Sequence, residues 1–196
     1  DLPTELADVE VRTDVTTALS RRLIRSAVET YLVSKTWYAA ATAAAAELSL
    51  PEPAEDETVV VLVSDRHDNI GMDPVARAIA DAAGASAVFS AGDDTSSGET
   101  WEAFSLDSLT TAFSDFDRFS VAGNHDHGSF VSDYLAERGW VHLTGKSVPG
   151  PGGSTLWGID DPRSSGLGNW RDEPGLSFAD HQQAVADAVC AADDRV

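Results

Sequence analysis

Residues 59–71 read VVVLVSDRHDNIG. A run of apolar, mostly β-branched residues, Val59 to Val63, ends in Asp65, His67, Asp68 and Asn69. Such an unbroken run is what a strand buried on both faces of a parallel sheet requires. Its tip carries two carboxylates, an imidazole and an amide within five positions. Whether this strand-then-ligand unit recurs decides the fold.

It recurs twice downstream. Pro74 opens a predicted helix that runs through Ala83, with proline in the first turn. Ser86 to Ser90 is a second short strand, followed by AGDD. Trp101 to Ala112 reads as a helix with Trp101, Phe104, Leu106 and Leu109 at its apolar positions, and Arg118 to Ala122 as a third strand, followed by GNHDH. Ser129 to Arg138 is a further helix and Val141 to Leu143 a short strand. Alternating strands and helices predict an α/β protein, a layered and largely parallel sheet with helices on its faces. Beyond Lys146 the texture changes to turns, and we expect a hairpin with Ser154 to Ile159 as its second strand. Phe178 to Ala192 closes the chain as a helix, with Asp180 near its start.

Upstream, residues 1–50 read as helical. Leu19, Leu23, Ala27 and Tyr31 recur every fourth position, flanked by Ile24, Val28 and Leu32, in one apolar stripe. Pro51 and Pro53 stop the helix, and Glu52, Glu55, Asp56 and Glu57 form an acidic connector. We therefore divide the chain into a helical segment with its connector, 1–57, and an α/β part, 58–196. The helix either packs on the α/β part or forms a stalk, and the pattern leaves both open. The apolar run Trp37 to Ala46 is shorter than the about 20 residues that span a bilayer. No signal-peptide pattern precedes it, and the opening Asp1 is expected to be a processed or engineered start. Cytoplasmic and extracytoplasmic placement, including as a domain of a membrane-anchored parent, both remain open.

The chain has 196 residues and a formal charge of -20 at neutral pH. That balance excludes nonspecific nucleic-acid binding, which needs Lys and Arg to displace phosphate counterions, and disfavours an anionic membrane surface. Lys35 and Lys146 are the two lysines, so the acidity reads as a compositional habit. The single Cys190 excludes a disulfide framework, and its Ala/Val-rich surroundings predict a small buried hydrophobe.

In open α/β sheets, ligands bind outside the carboxyl ends of the strands. Three neighbouring strands would bring Asp65, His67, Asp93, Asn124 and His125 to one edge. Carboxylate, imidazole and amide together suit Mn, Fe or Zn better than calcium. In an extended segment, Asp65 and His67 would share a face. Gly92 and Gly123 would let the backbone turn closely against a bound group. Asp68 is read as a partner that orients His67, and Asn69 as a cap on the following turn. Asp94 is read as structural, and Asp126 as a local hydrogen-bonder or an orienter of His125. His127 is a substrate contact or an exposed loop residue. His142 reads as packing and His181 as exposed, and Trp157 and Trp170 as packing. Arg66 and Arg163 are candidates for pairing with a phosphate.

D-x-H, then G-D, then G-N-H-D, each after a strand, resembles the calcineurin-like metallophosphoesterase superfamily over about Thr58 to Pro162. GIDDPR resembles a segment of some members. The resemblance implies part of that superfamily's layered sandwich and two divalent ions (Mn, Fe, Zn or Mg). Asp65 and His67 would hold the first ion, Asp93 would bridge, and Asn124 would hold the second. His125 would be the catalytic residue, a general acid or a stabiliser of charge beside the scissile phosphate. The substrate would be a phosphorylated small molecule or macromolecule. The superfamily pattern continues with a further His and a G-H-x-H, and His67, His125, His127, His142 and His181 form neither. We therefore expect a fragment with at most one, partly occupied ion, little or no activity, and association with another chain through an incomplete sheet. The alternatives are a non-catalytic regulatory or interaction domain that keeps the fold, and an unrelated nucleotide-binding domain. The second is weakened because no glycine-rich phosphate loop follows the first strand.

Overall fold

The computed structural model describes residues 15–161, 163 and 177–193. Contacts divide the chain into two compact units, Asp1–Ala40 and Ala41–Val196. Helix α1, Val15–Ala46, accounts for the described part of the first unit as far as Ala40. There the apolar positions Leu23, Ile24, Tyr31, Leu32 and Trp37 are exposed. Among the described residues, no helix is long and apolar enough to cross a membrane. Residues 1–14, Pro162 and Trp170 lie outside the described residues.

In the second unit, β1 (Val60–Val63), β2 (Ala87–Ser90), β3 (Asp117–Ser120) and β4 (Val141–His142) form one parallel sheet in the order β1-β2-β3-β4. Helices α2 (Asp73–Ala82), α3 (Ala103–Ala112) and α4 (Phe130–Glu137) connect them. The chain is α/β, with a parallel four-stranded sheet flanked by helices. Pro74 sits in the first turn of α2, where its missing N–H costs nothing. Short β5 (Val148–Pro149) and β6 (Thr155–Leu156) pair antiparallel as the expected hairpin, and α5 spans Phe178–Asp193. Ser177 starts α5: its hydroxyl accepts from the Asp180 N–H, and the Asp180 carboxylate accepts from the Ser177 N–H.

Strand order equal to chain order has a consequence. Successive right-handed crossovers lay every connecting helix on the same face of the sheet. One core therefore joins Ala80 of α2, Leu106 and Leu109 of α3, Val131 and Leu135 of α4, and Val88 of β2, with Val61 and Val63 packed against it. The opposite face carries Val60, Leu62, Phe89, Phe119 and Val141. There Leu62 is 66% exposed and Val60 37%. The expectation that β1 is buried on both faces is corrected: the connecting helices cover one side, and at the β1 edge the other side is open, although Phe119 of β3 on that side is buried.

Three smaller expectations change too. Trp101 and Phe104 are exposed, and α3 anchors through Leu106 and Leu109, with Phe113 after it. Cys190 is exposed on α5, not the buried hydrophobe its Ala/Val-rich surroundings predict. Asn69 stands at the start of a 3-10 turn, Ile70–Met72, but its side chain makes no capping bond there.

Candidate metal centre

The strands end level. Val63 lies opposite Ser90, and Ser90 opposite Ser120, so the three following loops leave from one edge. The ladder then continues irregularly: the Asp65 N–H donates to Gly92 O (3.1 Å), His67 N–H to Asp93 O (2.9 Å) and Asp68 N–H to Asp94 O (3.3 Å). Asp65, His67, Asp68 and Asp93 all have positive φ, between 44° and 63°. Non-glycine residues in the left-handed region are uncommon, and they concentrate at functional sites. This backbone also corrects the picture of an extended Asp-x-His, because the period-two rule does not hold across left-handed residues.

A cluster results, though not the one the spacing suggested. Ligand atoms of His67, Asp93 and His125 all lie within 4.8 Å of one another. The two imidazoles meet edge to face, with centroids 4.6 Å apart. Two nitrogens and a carboxylate oxygen suit Mn, Fe or Zn. Bonds of about 2 Å place two ligands of one ion at most about 4 Å apart, so a small closure of these side chains would fit a cation. His125 Nδ1 lies 3.2 Å from Ser96 O. A carbonyl can only accept, so Nδ1 carries the proton and Nε2 keeps the lone pair. Asp93 Oδ1 also accepts the His125 N–H at 2.7 Å.

Asp65 is exposed, and its Oδ2 accepts from Ser64 Oγ at 2.5 Å. It stands outside that group of three. With Asp93 and Asn124 it lines a cleft of about 430 Å3, which also takes in Trp157, Asp160, Asp161, Arg163 and His181. Asp93 alone belongs to both groups.

The glycines act differently from the expectation. A Cβ on Gly92 (φ 92°) would collide with the Gly123 backbone, and one on Gly123 would collide with Asp93. They let two loops touch each other and seat Asp93 beneath Gly123.

Below the cluster lies a buried polar layer. Arg66, expected as a phosphate contact, is 6% exposed. Its Nε and Nη2 donate to Asp73 (2.8 and 2.7 Å), Nη1 to Asp94 Oδ1 (3.2 Å), and Nη2 also to Ser105 O (3.2 Å). The phosphate reading is corrected: Arg66 ties loop, α2 and α3 together. Asp94 is fully buried, and burial, helped by nearby Asp126, pushes its carboxyl up to about 6 against the pull of Arg66 and Ser90. Asp126 is 3% exposed and accepts from Gly123 N, Asp94 N, Thr95 N and Thr95 Oγ1. It braces the second loop against the third rather than meeting substrate.

Asp68 Oδ2 accepts from Ser96 N at 3.2 Å, not from His67. Glu102, buried, accepts from the same N–H at 2.9 Å and from Ser97 Oγ and Glu99 N. Burial, with Asp68 adjacent, raises the Glu102 pKa. Together they hold the Ser96 carbonyl under His125. Glu102 went unnoticed in the sequence, although Glu99 and Glu102 carry the i, i+3 spacing of a capping box. His127 is half-buried, and its N–H donates to His125 O.

The GIDD segment is stitched to the end of β3. Asp160 Oδ1 accepts the Ala122 N–H (2.7 Å) and the Asp161 N–H donates to Ala122 O (2.9 Å). His142, read as packing, bridges Ser120 Oγ (3.3 Å) and Asp160 Oδ2 (3.2 Å). Burial would raise Asp160, but His142 and the Ala122 amide hold it below the usual carboxylate range. His181, read as exposed, is half-buried in the cleft, with Nδ1 3.4 Å from Asp161 Oδ1. Arg163 holds Asp161 through Nε and Nη2, the latter at 2.7 Å.

No family model, curated protein or solved structure matches the chain.

Proposed function

We propose that the chain is a metal-dependent phosphoesterase domain that hydrolyses a phosphomonoester or phosphodiester at the β1–β3 edge. The observation that carries this reading is the convergence of His67, Asp93 and His125 within 4.8 Å on strand-end loops held in left-handed backbone. The order of D-x-H, G-D and G-N-H-D supports it, as does the position of Asp65 and Asn124 on the cleft beside Asp93. A divalent cation there would neutralise the phosphate and lower the pKa of a bound water. His67 and Asp93 would hold the cation, and Asp65 and Asn124 would offer oxygens from the cleft side. His125 has its Nδ1 proton committed to Ser96, so Nε2 accepts a proton or a ligand when the ring is neutral. When the ring is protonated, Nε2 donates toward a leaving oxygen. Asp93, common to both groups, is the residue through which a second ion would be shared.

Calorimetric titration with Mn2+ or Zn2+ tests the reading. We expect about one ion per chain, and weakening of at least about a hundredfold in His67→Ala and Asp93→Asn, with an unchanged circular dichroism spectrum. Metal affinity equal in wild type and both variants would sink it. Hydrolysis of p-nitrophenyl phosphate with and without chelator then separates an enzyme from a non-catalytic domain that retains the fold. We expect weak, chelator-sensitive turnover.

A further inference from the structure

The cleft beside Asp93 has two kinds of wall. One is polar and mostly acidic: Asp65, Asp93, Asp160 and Asp161, with Asn124, Arg163 and His181 among them. The other is apolar, made by Val121, Trp157, Ile159 and Val185, each half-buried. Among the described lining residues, Arg163 is the one Arg or Lys, in a chain of formal charge -20. Asp161 grips its guanidinium through Nε and Nη2, so its orientation is fixed before a ligand arrives, and 35% of the side chain stays exposed. With the Nε side of the guanidinium taken by Asp161, an anion entering this cleft meets the remaining Nη hydrogens, already oriented. The rest of the ligand meets aromatic and aliphatic surface.

Ligand sites of this kind are mostly apolar, with a few placed polar groups that fix orientation. Water against Trp157, Ile159 and Val185 has few partners. A ligand that presents an oxyanion to Arg163 and an apolar group to this wall displaces that water at a gain proportional to the apolar area covered. A sugar phosphate or an inorganic phosphate satisfies only the charged half.

We propose that the substrate is a phosphate ester of an apolar, aromatic or aliphatic alcohol, its phosphoryl oxygens on Arg163 and its alcohol group against Trp157, Ile159 and Val185. The proposal rests on the phosphoesterase reading and adds the substrate class to it. Arg163 binds the phosphoryl group and donates no proton in the reaction.

Non-hydrolysable probes test this without turnover. Phenylphosphonate and methylphosphonate share the head group and differ in the apolar part. Each is titrated into the full chain at saturating Mn2+, with Mn2+ binding measured separately by electron paramagnetic resonance. We expect phenylphosphonate to bind about tenfold more tightly. Arg163→Ala should weaken both probes to a similar extent and leave Mn2+ affinity unchanged. Trp157→Ala should abolish the phenyl preference and leave methylphosphonate affinity unchanged. Should Trp157→Ala not fold, Ile159→Ala should reduce the preference about threefold. Equal affinity of the two phosphonates, or a preference that survives both apolar truncations, overturns the proposal while Mn2+ binding keeps the metal reading. Loss of Mn2+ binding itself would remove both.

Discussion

Two layers of one sheet edge obey opposite rules. In the lower layer, Arg66, Asp73, Asp94, Ser105 and Asp126 are nearly sealed from solvent and tied to one another or to loop amides. In the upper layer, Asp65 and His67 are exposed, and Asp65, His67 and Asp93 sit in left-handed backbone. The polar residues of the two layers alternate along the chain: Asp65, Arg66, His67, and again Asp93, Asp94. Successive side chains leave the loops in different directions, so the same few residues supply both ligands and their foundation. The lower layer offsets the strain of the upper by over-determining the loop path. Changes below should therefore cost folding, and changes above should cost binding only.

The largest effect belongs to Arg66→Ala. It leaves the Asp73 and Asp94 carboxylates buried without their cation, and breaking a buried pair by removing one partner costs about 3–5 kcal/mol. Urea denaturation followed by circular dichroism measures it. Arg66→Lys should rescue little, because an ammonium cannot make the bidentate contact with Asp73. By contrast, Arg163→Ala removes a partly exposed pair and should cost under about 1 kcal/mol. If the two arginines cost the same, the division into layers fails.

Asp94→Asn sharpens the comparison through pH. With its carboxyl pushed up to about 6 in the folded chain, Asp94 holds its proton longer folded than unfolded. Its stabilisation is complete below about pH 4 and declines as pH rises through about 6. The amide cannot ionise and lacks this decline. The stability of Asp94→Asn minus that of the wild type should therefore rise by roughly 2–3 kcal/mol between pH 4 and pH 7. Other titrations cancel in the difference. Denaturation midpoints at several pH values give the curve, and a flat difference would mean that Arg66 holds Asp94 fully ionised.

The alternation of strands and helices was legible because each apolar run is short and ends in a turn or ligand cluster. Strands from Val60, Ala87, Asp117 and Val141 begin within a residue of their sequence-based starts. That the ligands gather at one edge also follows from parallel strands. Two things were not legible. Which face of β1 is covered depends on strand order, which no local pattern encodes, so Leu62 was misplaced. The fate of each charged loop residue depends on a backbone that turns left-handed at Asp65, His67 and Asp68: period-two reasoning paired Asp65 with His67, and the pairing chemistry of arginine alone suggested a phosphate for Arg66. Glu102, Asp160 and Asp161 act through loops that meet only in three dimensions, though the Glu99–Glu102 spacing was a usable local signal.

The smallest effect tests the upper layer alone. His67 occupies φ 44° and has an exposed side chain. An L-residue in this region costs about 1–2 kcal/mol relative to right-handed backbone, and glycine is largely spared that cost. The unfolded-chain entropy of glycine takes back part of the gain, about 0.5–1 kcal/mol. His67→Gly should therefore fold with equal or slightly greater stability, up to about 1 kcal/mol, while losing Mn2+ affinity as His67→Ala does. The outcome separates two explanations of the left-handed turn. If His67 is retained for its imidazole, stability and binding move in opposite directions or stability stays level. If the imidazole packs the loops together through its edge contact with His125, His67→Gly should lose about 1 kcal/mol or more instead. Thermal denaturation in chelator, where no cation contributes, reads that sign directly.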